Sequence, residues 1–385
     1  MPDAMRFETA AIHAGQDPDP ATGAAVVPIY QTSTYVQEAV GRHKGYEYSR
    51  TGNPTRHALE TCLAALEGAR TALAFSSGMA ATTTLALSLE QGARVLIPDD
   101  VYGGTYRLFA KVTAPLGIGF EAVDMRDLDA VAAALKRGAA LVFAETPTNP
   151  LLRVLDIGAL AGLSHDAGAL LAVDNTFATP YLQRPLELGA DVVVYSATKY
   201  LGGHSDLVMG ALVTDDDALA ERLRFLQNAA GAVPGPFDSW LLLRGLKTLA
   251  LRMRAHCAGA ARVAAWLQEH PAVTRVHYPG LTGHEGHELA RVQMSAAGEP
   301  LFGGMVSFEV ADEAGALKVC ESTELFFLGE SLGGVESLIE HPGRMTHASL
   351  AGSGMEVPAS LVRLSIGIEH PDDLIADLER ALGGL

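Results

Sequence analysis

Side chains capable of chemistry follow short apolar runs at five places in this 385-residue chain. Thr71-Ala-Leu-Ala-Phe75 is followed by Ser76-Ser-Gly-Met79, and Arg94-Val-Leu-Ile97 by Pro98-Asp-Asp-Val-Tyr102-Gly-Gly104. Ala140-Leu-Val-Phe-Ala144 leads to Glu145-Thr-Pro-Thr-Asn149, Leu170-Leu-Ala-Val173 to Asp174-Asn-Thr-Phe177, and Val192-Val-Val-Tyr195 to Ser196-Ala-Thr-Lys199. A lysine and an aspartate at the ends of buried runs are costly unless something pairs with them. Desolvation favours the neutral lysine amine, which is nucleophilic and forms an imine with an aldehyde.

Pyridoxal 5'-phosphate (PLP) is the common aldehyde cofactor, and each of its needs has a candidate. A carboxylate must keep the ring nitrogen protonated, and Asp174 is placed for that. The phosphate needs free N–H groups at a helix start, which Ser77-Gly78-Met79 offers, with Gly78 permitting close approach. Ser196 and Thr198 add hydroxyls beside Lys199, and Tyr102 is a flat partner for the ring. Taken singly, each has an ordinary reading. Lys199 reads as a loop lysine, Asp174 as a helix cap, Ser76-Ser-Gly as a turn, Tyr102 as core and Asn149 as turn chemistry between prolines. Their joint position at strand ends favours a site, because open α/β sheets bind ligands outside the carboxyl ends of their strands.

The elements that must position them follow a rhythm. Short apolar runs alternate with helical text over 55–68, 78–91, 103–114, 127–137 and 156–167. That alternation predicts βαβ units and a mostly parallel sheet covered on both faces. A long helical stretch is expected over 235–269, with Trp240, Leu243, Leu246, Leu249 and Met253 on one face. Alternating segments at 305–310 and 361–366 then suggest a smaller α+β domain. Residues 1–50 lack a clear period and read as an irregular arm that packs on something else, a neighbouring subunit for instance. The expected organisation is an arm over 1–50, a PLP-binding α/β domain over 51–240 and a C-terminal α+β domain over 241–385.

Composition narrows the field. Lys+Arg numbers 28 against Asp+Glu 45, a formal net charge of -17, which disfavours nucleic acid and anionic membranes as partners. No apolar run is long enough for a spanning helix, and the first residues do not read as a secretory signal. Cys62, Cys257 and Cys320 are far apart and odd in number, so no disulfide framework is expected and a reduced cytoplasmic setting is the simplest reading. No GxGxxG after a strand, P-loop or GxSxG elbow occurs. His284-Glu-Gly-His287 lacks the four-residue spacing of a zinc helix and reads as a surface loop, so no metal site is expected.

The ordered segments "YEYSRTGNPTR" (46–56), "FSSGMAA" (75–81), "DDVYGGTYR" (99–107), "ETPTNP" (145–150), "VDNTF" (173–177), "SATKYLGGHSD" (196–206), "ESLGGVESLIEHP" (330–342), "MTHAS" (345–349) and "VRLSIGIE" (362–369) resemble the Cys/Met-metabolism, or transsulfuration, family of PLP enzymes over nearly the whole chain. The family holds cystathionine γ-synthases, γ-lyases and β-lyases and methionine γ-lyases. The resemblance implies PLP-dependent fold type I, with a mostly parallel seven-stranded sheet flanked by helices, and a homotetramer built as a dimer of dimers that share active sites. It gives Lys199 the cofactor linkage, Asp174 the ring nitrogen with Thr176 nearby, and Tyr102 the ring face. Gly78, Met79, Ser196 and Thr198 hold the phosphate, and Tyr48 and Arg50 reach the phosphate of the neighbouring subunit. Arg363 binds the substrate carboxylate with Asn149 and the backbone near Ser331. Catalysis falls to Lys199, which moves the Cα proton, and to Tyr102, which assists.

Three features bear on the reaction. Glu47 and Glu330 suit a substrate with a distal ammonium, such as cystathionine. Gly104 replaces the cysteine usual in bacterial methionine γ-lyases. β-Lyases usually depart from the EYSRTGNPT pattern kept here. The expectation is therefore γ-elimination of cystathionine, with γ-replacement of an O-acylhomoserine by cysteine as the alternative. Methionine γ-lyase and a non-catalytic PLP-binding regulator are further alternatives.

Overall fold

The computed structural model describes residues 5–350 and 352–385. Its strands, in chain order, are β1 Thr71–Phe75, β2 Arg94–Pro98, β3 Gly119–Val123, β4 Leu141–Glu145, β5 Leu170–Asp174, β6 Val192–Ser196, β7 Gly210–Thr214, β8 Arg275–His277, β9 Ser295–Ala296, β10 Glu299–Pro300, β11 Met305–Glu309, β12 Phe327–Leu328, β13 Leu338–Glu340 and β14 Leu361–Ser365. The first seven form one sheet in the order β1-β7-β6-β5-β4-β2-β3. Strands β2 to β6 pair in parallel, as continuous apolar runs buried on both faces should.

The seventh strand, β7, was not singled out in the sequence. It pairs antiparallel with both β1 and β6. No helix separates it from β6. A parallel neighbour needs a crossover, whereas an antiparallel one can return through a loop, so the rhythm that reveals the other six is absent here. Gly210 on β7 pairs with Phe75 and with Ser196, and a Cβ there would collide with the Ser77 carbonyl. This glycine lets the turn after β1 and the turn after β6 meet at one sheet edge.

Two helical expectations need correction. The helix expected over 103–114 is a short α-helix, Gly103–Arg107, continued as a π-helix to Thr113 and a 3₁₀ turn at Ala114–Leu116. Pro115 sits in that turn and cannot continue an α-helix. The stretch over 235–269 is two helices, Pro236–Leu246 and Leu249–Glu269. The expected domain boundary at 240/241 falls inside the first. A Cβ on Gly245 would lie 2.9 Å from the Leu201 carbonyl, so this helix presses against the loop that carries Lys199.

The second sheet has the order β12-β13-β14-β11-β8 and packs on the helices Leu249–Glu269, Glu313–Ser322 and Pro371–Leu382. Its central strand β14 is buried along its whole length and carries Arg363. The N-terminal segment is irregular apart from a helix, Phe7–His13, too short to show a period in sequence. It is tied down by Trp240 Nε1, which donates to the Val27 carbonyl, and by Thr55 Oγ1, which donates to that of Pro28. His284 lies in a turn with exposed neighbours Gly283 and Glu285, as its spacing suggested, whereas His287 opens a short helix, His287–Gln293, and both histidines are half-buried. The described residues contain no group of three metal-ligating side chains, and no helix among them is long and apolar enough to cross a membrane.

Candidate active site

A cavity of about 380 Å³ opens at the carboxyl edge of the large sheet, where β14 of the second sheet faces it. Its wall includes Gly78, Met79, Tyr102, Asn149, Asp174, Thr176, Ser196, Thr198, Lys199, Glu330, Ser331 and Arg363. Twelve residues singled out from the sequence thus converge on one space.

Lys199 is half-buried, and its ammonium donates to Ser331 Oγ at 2.6 Å. Burial, aided by the Arg363 guanidinium, lowers its pKa to about 8, against the opposing pull of Glu340 and Glu330. Ser331 holds φ at 94°, a left-handed conformation that a serine adopts only when its surroundings dictate it. Held this way, its hydroxyl meets Lys199 and its carbonyl accepts from Arg363 Nη2 at 2.8 Å.

Asp174 ends β5 and accepts from the Thr176 N–H at 3.0 Å. Burial raises its carboxyl to about 6, with the Thr176 hydrogen bonds pulling it back. Thr176 Oγ1 also accepts from the Ser196 N–H at 2.9 Å and so ties the ends of β5 and β6 together.

The phosphate cradle fits its ligand. Ser77 caps the helix Gly78–Leu87 by accepting from the Ala80 N–H, while the N–H groups of Gly78 and Met79 have no partner among the described residues. A Cβ at position 78 would lie 2.9 Å from Ser196, so only glycine leaves room here. Orphan donors at a helix start, a half-buried carboxylate and a lysine whose pKa burial draws down to about 8, all around one cavity, are the donor set that PLP requires. One detail departs from expectation. Thr198 Oγ1 donates to the Met209 carbonyl at 3.1 Å, so its hydroxyl must leave that bond to serve a phosphate.

Tyr102 precedes the helix Gly103–Arg107, with its N–H donating to Glu145 Oε2 at 3.2 Å. Its ring lies over Gly104, where any Cβ would strike it. Glycine at 104 therefore has a packing cause of its own, which weakens it as a marker of substrate choice.

Arg363 is buried, in register with Glu340 on β13 and Ser307 on β11. It is not a surface charge. Nη1 donates to Asn149 Oδ1 at 2.9 Å and pairs with Glu340 Oε1 at 2.8 Å. Glu330 stands exposed at the cavity rim.

Glu47, Tyr48 and Arg50 do not line this cavity; all three are exposed on the arm. Arg50 lies 5.6 Å over the Tyr48 ring and donates to the Asn228 carbonyl, while Glu47 sits 3.5 Å from His43.

Two buried acids were given no role from sequence. Glu145 ends β4 in register with Asp174, and its oxygens accept from the Tyr102 and Asn149 N–H groups. Burial and the nearby Asp174 push it well above the usual carboxylate range. Glu340 ends β13 beneath Arg363. The signal available for both was the one used for Asp174, an acid closing an apolar run.

Comparison with known proteins decides the family. A family model described as "Cys/Met metabolism PLP-dependent enzyme" matches residues 8–383. The chain belongs to that family. It is therefore a PLP-dependent transsulfuration-type enzyme, and PLP is its cofactor. The chain is 58% identical to a cystathionine gamma-synthase of Mycobacterium tuberculosis, over 97% of this chain and 96% of the relative. It is 52% identical to a cystathionine beta-lyase of Lactococcus lactis subsp. cremoris, over 98% of each. A crystal structure of cystathionine gamma-lyase from Lactobacillus plantarum complexed with L-serine superposes with a TM-score of 0.93 at 46% identity, covering 98% of this chain and 99% of the other. Three reaction names thus attach to one architecture.

Proposed function

We propose that this enzyme works on the Cγ–S bond of cystathionine, releasing cysteine, 2-oxobutyrate and ammonia. The observation that carries the reading is the spacing of charge around the cavity. Arg363 with Asn149 and the Ser331 carbonyl forms a carboxylate anchor on one side of Lys199, and the Glu330 carboxylate stands at the rim. An α-carboxylate held at the first and a distal ammonium at the second describe a long, two-headed amino acid.

When bound, PLP acts as an electron sink that makes the substrate Cα proton acidic. The residues do the rest. Asp174 would hold the ring nitrogen, and the Gly78 and Met79 N–H groups with Ser196 and Thr198 would receive the phosphate. Lys199, whose pKa burial lowers to about 8, would take the Cα proton once substrate frees it, and Ser331 Oγ holds that amine in place. Tyr102 borders the cavity as the ring's stacking partner and assists proton movement. Tyr48, Arg50 and Glu47 serve the same site from a neighbouring copy, in a homotetramer located in the cytoplasm.

A second reading, net γ-replacement, has a specific observation in its favour: the relative at 58% identity is named a gamma-synthase. Cystathionine is the reactant in one direction and the product in the other, so Glu330 serves both. The β-lyase name at 52% identity shows that likeness along the whole chain does not separate these chemistries. The deciding assay offers purified holoenzyme cystathionine alone, then an O-acylated homoserine with and without cysteine. Release of cysteine and 2-oxobutyrate from cystathionine supports γ-elimination. Faster cysteine-dependent formation of cystathionine replaces it with the synthase reading, and pyruvate with homocysteine would exclude both.

A further inference from the structure

Beneath the substrate-carboxylate anchor lies a closed ring of buried hydrogen bonds that no step above uses. Glu340 Oε1 pairs with Arg363 Nη1 at 2.8 Å and accepts from Thr346 Oγ1 at 2.8 Å. Thr346 Oγ1 lies 2.8 Å from His347 Nδ1, and His347 Nε2 reaches the Asn149 carbonyl at 3.0 Å. Asn149 Oδ1 closes the ring on Arg363. Glu340 and Asn149 together occupy both N–H groups of Nη1, and the Ser331 carbonyl takes one of Nη2, so the donors left for a substrate carboxylate are the second Nη2 N–H and Nε, which has no partner among the described residues.

Glu340 Oε2 is buried with no partner among the described residues. A side chain needed only as a hydrogen-bond acceptor for Arg363 and Thr346 uses one oxygen; an amide would do as well. Burial raises the Glu340 carboxyl, while the Arg363 guanidinium and the Thr346 hydroxyl pull it back; ionised, the side chain brings negative charge into a dry site at the cost of its solvation. Its other oxygen, Oε1, sits 2.8 Å from Nη1 of the cation that has to receive the substrate carboxylate.

We infer that Glu340 is a positioning residue that sets affinity for the substrate carboxylate in two opposed ways: it fixes the guanidinium in place and partly neutralises it. The inference rests on reading Arg363 as the carboxylate anchor. Holding the cation in the right pose strengthens binding, while the opposing charge weakens it equally in ground and transition states. A uniform effect of this kind appears in KM and not in kcat.

The two roles separate by substitution in the holoenzyme. Glu340→Gln keeps the shape and the Oε1 acceptor but removes the charge; KM for cystathionine should fall about fivefold with kcat within about twofold. Glu340→Ala removes both; KM should rise about tenfold or more as the guanidinium loses its mooring. Opposite signs for Gln and Ala support the inference. A rise in KM for Gln as for Ala, or no change for Gln, overturns it by leaving only a structural role. If the Ala variant fails to fold, as judged by its thermal melt and retained cofactor absorbance, the sign of the Gln effect decides alone. Arg363→Lys is the control on the underlying reading. Unchanged KM there refutes the anchor itself, whereas a raised KM with no fall for Glu340→Gln refutes only the inference about Glu340.

Discussion

The cavity at the sheet edge and the N-terminal arm carry functional candidates of very different kinds. In the cavity, the charged groups away from the rim have fixed environments. Asp174 is held by Thr176, Lys199 by Ser331, and Arg363 by Asn149 and Glu340. Along the arm, Glu47, Tyr48 and Arg50 face solvent, and Val36 and Val40 are 91% and 103% exposed. One region has its charged groups moored by partners from the same chain. The other spends large apolar side chains on water, which a stable protein avoids unless the surface is covered by something. Preorganised chemistry can be built by one fold, but a segment without a core of its own gains a role only against a second surface.

Two substitutions in the cavity have the largest expected effects. Lys199→Ala should lower turnover at least about 10³-fold, because proton transfer and cofactor linkage both depend on one amine. Its fold should survive, as the side chain contributes one hydrogen bond to the structure; circular dichroism with a steady-state assay checks both halves. Asp174→Asn should reduce kcat about a hundredfold by weakening the electron sink, with the cofactor still bound through the phosphate cradle. Retained cofactor absorbance alongside lost rate is the expected pair, and undiminished rate would remove Asp174 from the ring nitrogen.

The arm gives the sharper test of the contrast. Arg50→Ala should weaken PLP retention about ten- to a hundredfold, the scale of one charge-assisted phosphate contact. Equilibrium dialysis against free PLP measures it. Unchanged retention would mean that the arm's exposed residues serve assembly and not the site. Mixing Arg50→Ala with Lys199→Ala protein adds a direct test of sharing. Sites that combine residues from two chains regain a fraction of the activity in mixed assemblies, and sites confined to one chain regain none.

The same contrast explains what could be read without coordinates. Lys199, Asp174, Ser196 and Gly78 were legible because a parallel sheet marks its own ligand edge: apolar runs stop, and whatever follows them faces the site. Arg363 was legible only through the family resemblance of the segment VRLSIGIE, since a lone arginine in an alternating strand does not by itself announce a buried anchor. β7 was hidden because its loop from β6 contains no helix and so breaks the period used to find strands. Glu145 and Glu340 were visible as letters but not as partners, since the contacts that give them meaning, Tyr102 with Glu145 and Arg363 with Glu340, join residues distant in sequence. The arm could be recognised only as irregular. Its positions acquire significance from a neighbour that one sequence does not describe.

A smaller effect concerns the protonation of Lys199 in the cofactor-free protein. With its pKa lowered to about 8 by burial and by Arg363, roughly a tenth of the amine is neutral at pH 7 and most of it at pH 9. The rate at which apoenzyme captures PLP should therefore climb about tenfold between those values and then level off. Stopped-flow absorbance measures this directly. Between about pH 8 and the ordinary lysine range, the unfolded chain binds a proton that the folded chain does not, so this group makes apoenzyme stability rise with pH in that window. A midpoint near the ordinary lysine range would show that the cavity does not desolvate the amine.

The smallest effect on either region should come from the buried acid behind the sheet. Glu67 Oε1 accepts from the phenolic O–H of Tyr195, while that same phenolic oxygen accepts in turn from Asn175 Nδ2 at 2.7 Å, next to Asp174. Burial raises the Glu67 carboxyl to about 8, and its Oε2 has no partner among the described residues. Between the ordinary carboxylate range and about pH 8, the folded chain keeps a proton that the unfolded chain has released, so this group's contribution to stability falls as pH rises through that window. Glu67→Gln does not titrate. It should match the parent near pH 5 and become the more stable protein, by about 2 kcal/mol, near pH 9. Its kcat should stay within about twofold, because the network supports the strand ends through backbone geometry and touches neither the cavity nor the arm. Denaturant melts at the two pH values, read beside one activity assay, test the claim that this acid belongs to the scaffold. A large loss of rate with unchanged stability would move it into the site.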